Sequence, residues 1–168
     1  MLSMMQQGLR LFHPTRHVWL CVTPKLASIS VPTKSYEVEI GLTERGLEDI
    51  GDMTMMRAMV PEKTAIHSGH ELLQVEWEGH SITSADELYH TVWETFTGIT
   101  TIKSPVPGIV EQVNIVPSNM CIDDDTILVK MSVTEKDWES AKLEMMKEAE
   151  YLKLLRKVPP GKFSEKED

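Results

Sequence analysis

Between His17 and Val133 the chain is a succession of short β-branched and apolar runs broken by proline, glycine and acidic turns, and only after Thr134 does the apolar spacing change from two residues to the helical repeat. That ordering constrains the fold to a mainly β body closed by a helix. His17 to Thr23 and Ser35 to Leu42 read as the first two strands. In the second, Tyr36, Val38 and Ile40 alternate with Ser35, Glu37 and Glu39, and Pro24 and Pro32 mark the connection. Thr43 to Ile50 supports about two helical turns, with Thr43 as N-cap and Gly51 as stop. Asp52 to Val60 is a methionine-rich strand ending at Pro61. Leu72 to Trp77 is a strand expected to turn at Glu78-Gly79 into His80 to Thr83. Leu88 to Glu94 and Ile99 to Ile102 read as paired strands, with Phe96-Thr97-Gly98 at the hairpin tip and Gly98 supplying a positive φ. Gly108 to Val116 and Thr126 to Val133 complete the strands.

The threonine-x-x-acid signal of Thr134 and Asp137 starts a C-terminal amphipathic helix, on which Trp138, Ala141, Met145, Ala149 and Leu152 share a face up to Pro159. The remainder, 157–168, is a polar tail.

Charge and length exclude several classes of function. Arg10, Arg16, Lys25 and Lys34 are the sole formal charges before Glu37, so the first 36 residues carry +4 and the rest −13 of the net −9. An acidic body disfavours direct nucleic-acid binding and favours protein partners. No apolar run reaches the roughly 18 residues of a membrane span. Residues 1–16 lack acids, carry two arginines and place Leu2, Met5, Leu9 and Phe12 at helical spacing, the character of a mitochondrial targeting segment.

Candidate chemistry is sparse. Cys21 and Cys121 form neither a disulfide framework nor a zinc spacing and are expected as buried small hydrophobes. His67 and His70, with His80 and His90 further on, lack a helix to align them as metal ligands and read as exposed loop residues. Asp123-Asp124-Asp125 lacks the pattern of a calcium loop and reads as a solvated turn. The methionines, among them Met53, Met55, Met56, Met59, Met145 and Met146, are expected mainly as core filler.

Glu39 to Asp52, EIGLTERGLEDIGD, resembles the most recognisable block of the glycine cleavage system H proteins, through Gly41-Leu42-Thr43-Glu44 and Ile50-Gly51-Asp52. His17-Val18-Trp19 is similar to the histidine-glutamate-tryptophan of that family's first strand. Ser104-Pro105-Val106-Pro107-Gly108 is similar to its serine-proline-x-x-glycine, and Ile127 to Met131 to the strand before its final helix. The resemblance covers residues 17–156. It implies a mainly β with α (α+β) fold, a lipoyl-domain-like hybrid barrel or sandwich of two small antiparallel sheets. It also implies a short helix near 43–50, a C-terminal helix near 135–156, and an insertion near 65–84 as an extra hairpin or surface loop.

In the family a lysine at a hairpin tip bears lipoate. Counted from Glu94 (three residues on) and from Gly108 (eleven back), that lysine falls on Thr97, whose hydroxyl cannot form the lipoyl amide. The flanking motif residues Glu94, Gly98, Ser104 and Gly108 are retained for the fold, and no lysine lies between Lys63 and Lys103 to take over. The resemblance with that lysine absent implies no cofactor, no metal and no catalytic residue. It leads to a non-catalytic structural or interaction subunit of a multiprotein assembly in the mitochondrial matrix. Two other readings stay open: a non-carrying adaptor that docks on glycine decarboxylase or lipoyl-transfer enzymes, and a carrier modified elsewhere, for instance on Lys103.

Overall fold

The computed structural model describes residues 10–25, 35–48, 50–86, 90–118 and 120–157, and for 81–86, 90–93 and 157 the backbone alone. Two antiparallel sheets carry the fold, and neither closes into a barrel. The larger has the order β10-β1-β2-β3-β9-β8-β5. Its strands are β1 (Arg10–Phe12), β2 (Val18–Lys25), β3 (Ser35–Leu42), β5 (Ala65–Ile66), β8 (Gly108–Val113), β9 (Val129–Thr134) and β10 (Met146–Lys147). The smaller has the order β4-β6-β7, from β4 (Asp52–Ala58), β6 (Glu71–Asp86) and β7 (His90–Lys103). The expected mainly β, two-sheet architecture is the one observed.

Alternation decides which faces are buried. In β3, Val38 and Ile40 are fully buried while Glu37 and Glu39 are only half-buried. Across the ladder Val38 sits opposite Val22 and Met131, and Ile40 opposite Leu20 and Val129. The smaller sheet adds Met56, Leu73, Val75 and Ile102 to the same core. Trp19, buried on the other face of β2, lies over Gly41 so closely that a Cβ there would stand 2.3 Å from its Cζ2. This contact gives Gly41 its place in the block that begins at Glu39.

Both predicted helix starts are present. Gly46 donates its N–H to Thr43 Oγ1 (3.1 Å) at the head of α1 (Glu44–Glu48), and Asp137 donates to Thr134 Oγ1 (3.2 Å) at the head of α2 (Glu135–Ala141). The single long C-terminal helix is corrected. A 3-10 turn at Lys142–Glu144 and an extended Met145 (φ −91, ψ 156) end α2, Met146–Lys147 form β10, and α3 (Glu148–Lys157) starts afresh. The break has a cause in the sheet. Strand β10 pairs Phe12 with Met146 and Leu11 with Lys147, covering the edge that β1 would leave open. The interruption shifts the helical phase. Ala149 and Leu152 are exposed, and Tyr151 takes the buried position, stacked on Phe12 at 5.1 Å.

Three other expectations change. Arg10–Phe12, read as part of the N-terminal extension, is a strand between β2 and β10, so the fold takes in the chain from Arg10. Residues 65–84 form no separate hairpin or long surface loop; they are β5, a short turn at 67–70 and most of β6. Cys121 is exposed and Cys21 half-buried, because Cys121 falls in the polar connection between β8 and β9. The helical spacing of Leu2, Met5 and Leu9, together with Pro32 and 158–168, lies outside the described residues.

If Arg10–Phe12 belongs to the folded body, Phe12→Ala lowers the stability measured by urea denaturation by about 3 kcal/mol, the lower end for loss of a buried phenylalanine. A neutral result would return this segment to a dispensable extension.

Candidate functional site

The hairpin that bears the lipoyl-type motif residues does not turn where the sequence suggested. Strand β6 runs without a break from Glu71 through Glu78-Gly79 to Asp86, and β7 returns from His90 to Lys103, with Asp86 opposite His90. The chain therefore reverses between Asp86 and His90. Phe96, Thr97 and Gly98 lie inside β7, opposite Gly79, Glu78 and Trp77. Gly98 does not take a positive φ, since Gly69 alone does so among the described glycines. Its smallness serves a different end: the Trp77 ring covers it, and a Cβ would come within 2.2 Å of Trp77 Cζ2. Trp77 is held there by its Nε1–H bond to Thr100 Oγ1 (2.9 Å) and an edge contact with Phe96.

The motif residues thus fall into two separate places. Ser104 is fully buried at the hairpin base, where its hydroxyl donates to Val106 O (2.6 Å) and its backbone bonds His70 O and Gly69 N. Gly108 opens β8 opposite Ile66. Both positions are structural. Glu94 and Thr97 are exposed and stand far out on the ribbon; the ten residues from Glu94 to Ser104 span roughly 30 Å at strand rise. Lys103 is exposed at the base, opposite Glu71. No residue of β6, of the 87–89 connection or of β7 before Lys103 is a lysine.

A polar cluster at the base, which the sequence did not disclose, joins the Phe12–Val18 turn to α1 and α3. The single Thr43 hydroxyl proton goes to His17 O (3.0 Å), so its oxygen accepts from Gly46 N–H and from the Tyr151 hydroxyl (3.0 Å). With its own proton committed, Tyr151 accepts from His17 Nδ1–H (2.6 Å), which fixes that tautomer. Burial pushes the Tyr151 phenol above its ordinary pKa. His17 holds φ at +53, in the left-handed region. His13, 6% exposed, turns the other way: its Nδ1 accepts from the backbone N–H of Thr15 (3.3 Å) and Arg16 (3.1 Å), leaving Nε2–H toward Glu144. Burial first, then the Arg16 charge, holds His13 below the usual histidine pKa.

Beside this cluster lies a cleft of about 500 Å³ between Thr15–His17, Leu42, Gly46 and the base strand Thr100–Lys103. The buried Nε of Arg16 has no hydrogen-bond partner, and its guanidinium lies against Gly69. The signal that could have singled out Arg16, His13 and His17 was their crowding just before the first long strand, which the targeting character of the segment obscured.

The histidines and the acidic run place no metal. His67, His70 and His80 are exposed, and no group of three or more candidate ligands comes together among the described residues. Asp123 is closed on itself. It accepts from Asp125 N–H and the Thr126 hydroxyl (both 2.9 Å), bonds that hold its carboxyl below the usual range, while Asp125 pairs with Arg10 at 3.0 Å. No described helix is long and apolar enough to cross a membrane.

No protein-family model matches this chain, and no curated protein does. Among solved structures, it is similar to a glycine cleavage system H protein from Mycobacterium marinum, at 16% identity, over 86% of this chain and 94% of that one, with a TM-score of 0.46.

The cluster makes two predictions. Tyr151→Phe leaves the His17 Nδ1–H without its acceptor and costs about 1–3 kcal/mol in urea denaturation; an unchanged midpoint would show that the three segments are held by packing alone. Because the folded-state pKa of His13 is depressed, its contribution is complete above the ordinary value of 6.5 and erodes as pH falls through the folded value. Stability should therefore decline as pH falls below the ordinary histidine value of 6.5, and His13→Asn, which keeps an acceptor for the two amides but cannot titrate, should flatten that slope.

Proposed function

We propose that the chain is an H-protein-like domain without carrier chemistry, acting as a structural or interaction subunit of a multiprotein assembly in the mitochondrial matrix. The observation that carries this reading is the run without lysine from Lys63 to Lys103, which takes in the whole hairpin up to its last residue. Swinging-arm transfer needs an amine on an exposed reversal of the chain. Neither Thr97, where the count puts the accepting position, nor any other residue from Glu71 to Ile102 offers a side-chain amine. A cofactor that carries the reaction has nowhere on the hairpin to attach.

The shape of the hairpin supports a contact role. Strand β4 pairs with β6 no further out than Glu78, so from Gly79 to Phe96 the ribbon is two-stranded. Two strands alone are marginally stable in water, and a ribbon of this length gains from a partner surface. Phe96 is exposed at the inner end of this stretch, at 44%, and Ile99 just before it, opposite Glu76, at 61%. The acidic balance of the body favours a protein partner over nucleic acid. Import into mitochondria rests on the acid-free, arginine-bearing N-terminus; with Arg10 in the sheet, the removable part of such a signal lies before Arg10.

In the adaptor reading, glycine decarboxylase or a lipoyl-transfer enzyme would recognise Glu94 and Gly108 together. Their separation along the ribbon weighs against a shared docking face, so the scaffold reading is preferred.

Protein isolated from mitochondria under native conditions should have the intact mass of the unmodified chain, less any leader, and should migrate with a large assembly. An adduct of lipoyl mass on any lysine would restore the carrier, and a monomer at every salt concentration would remove the scaffold.

A further inference from the structure

We propose that the cleft at the hairpin base is a binding site for a small organic carboxylate, held by Arg16 and Lys103. The proposal is independent of whether the chain is a carrier. In a chain of net charge −9, the residues lining this cleft include two formal cations and no carboxylate. The charge of the lining is thus opposite in sign to that of the body, which favours an anionic ligand.

Arg16 is the centre of the argument. It is half-buried, its Nε is shut off from solvent with no hydrogen-bond partner, and its guanidinium lies beside Gly69, where a Cβ would stand 3.3 Å from a terminal nitrogen. A half-buried guanidinium with no acceptor among the described residues is costly, and a planar carboxylate is the group whose two oxygens match the fork of its terminal nitrogens. The backbone on both sides of Arg16 is fixed by His13 Nδ1 and the His17–Tyr151–Thr43 bonds, so the point from which its side chain enters the cleft is set before any ligand arrives.

The rest of the lining suits an organic acid better than inorganic phosphate. Leu42 and Ile102 give apolar wall for a carbon skeleton, Thr15 and Thr101 add hydroxyls, and Lys103 at the rim supplies a second positive charge. The volume, about 500 Å³, lies within the usual range for small-molecule sites. Glu71, opposite Lys103 in the ladder, is the nearest competing carboxylate in register and limits the share that Lys103 contributes.

The test is a titration of the ¹⁵N-labelled full chain with succinate, using succinamide as the uncharged analogue and inorganic phosphate as the second anion. Succinate should give saturable shifts at Arg16 Nε and the Thr101 amide, and succinamide none. Arg16→Gln should weaken succinate by about tenfold or more, the worth of charge-assisted hydrogen bonds. Arg16→Lys, which keeps the charge and loses the fork, should fall between, and Lys103→Gln should weaken binding several-fold. Lys153→Gln, on α3 away from the cleft lining, should change nothing. If Arg16→Gln does not fold, Arg16→Lys and Lys103→Gln decide, and unchanged affinity in both overturns the site. Saturable binding of phosphate without succinate overturns the ligand class. Linear shifts scattered over surface lysines, the same in every variant, mean no site at all.

Discussion

One hydroxyl holds together parts of the chain that are remote in sequence. Thr43 Oγ1 donates to the carbonyl of His17, accepts from the first turn of α1, and accepts from Tyr151 more than a hundred residues away. A group with one proton and two lone pairs is thereby fully used inside the protein. Because the Thr43 proton is committed, the direction of each following bond is determined, through Tyr151 to His17 Nδ1. The N-terminal turn, the capped helix and α3 share this junction, and the wall of the basic cleft is built from the same turn. A loss at Tyr151 would reach both the docking of α3 and the setting of Arg16.

The second constraint is the length of the hairpin. Strands β6 and β7 keep a continuous ladder from Lys103 out to His90, with irregularities only at Glu71/Leu73 and Ile82/Ser84. A longer ribbon carries the chain reversal away from the body and leaves the motif glutamate and the serine-proline corner at different ends. In that geometry Ser104 and Gly108 serve the base: one ties the His70 and Val106 backbones, the other lets β8 pass close to Ser132. Both residues thus have contacts of their own in the fold. The ribbon also presents exposed apolar surface, since Phe96 and Ile99 are exposed on strand β7.

Local signals were legible in the sequence, and tertiary exceptions to them were not. Strand β3 begins and ends at Ser35 and Leu42 as its alternation indicates, and Thr43 and Thr134 cap the helices they precede, because these features depend on neighbours within a few residues. The failures share a cause. Glycine at 79 and 98 suggested turns, but each lies beneath an aromatic ring from the opposite strand, a contact invisible without the pairing. The helical spacing after Trp138 was sound until the edge of β1 drew Met146–Lys147 into the sheet. Arg10 and Phe12 had the composition of a leader, yet Phe12 stacks on Tyr151 and the Arg10 guanidinium lies 4.1 Å above the Trp19 ring. Of the candidate site, the missing lysine was readable at once, since an absence over forty residues does not depend on register. The cleft was not, because Arg16 and Lys103 meet only through the fold.

These two sites differ in what the body contributes. Beyond Gly79 and Phe96 the ribbon offers reach, with only a two-stranded ladder behind it. At the base, the same strands are backed by β4, by the buried Ser104 corner and by the N-terminal turn, so a charged side chain there can be kept in one orientation. Recognition of a small ligand requires that rigidity, because each group left to find its position on binding subtracts from affinity. Attachment to a larger partner does not, because many weak contacts along a ribbon can be ordered together as the partner docks. On the proposed reading, recognition of a small ligand belongs to the root of the hairpin and contact with a larger partner to its outer strands.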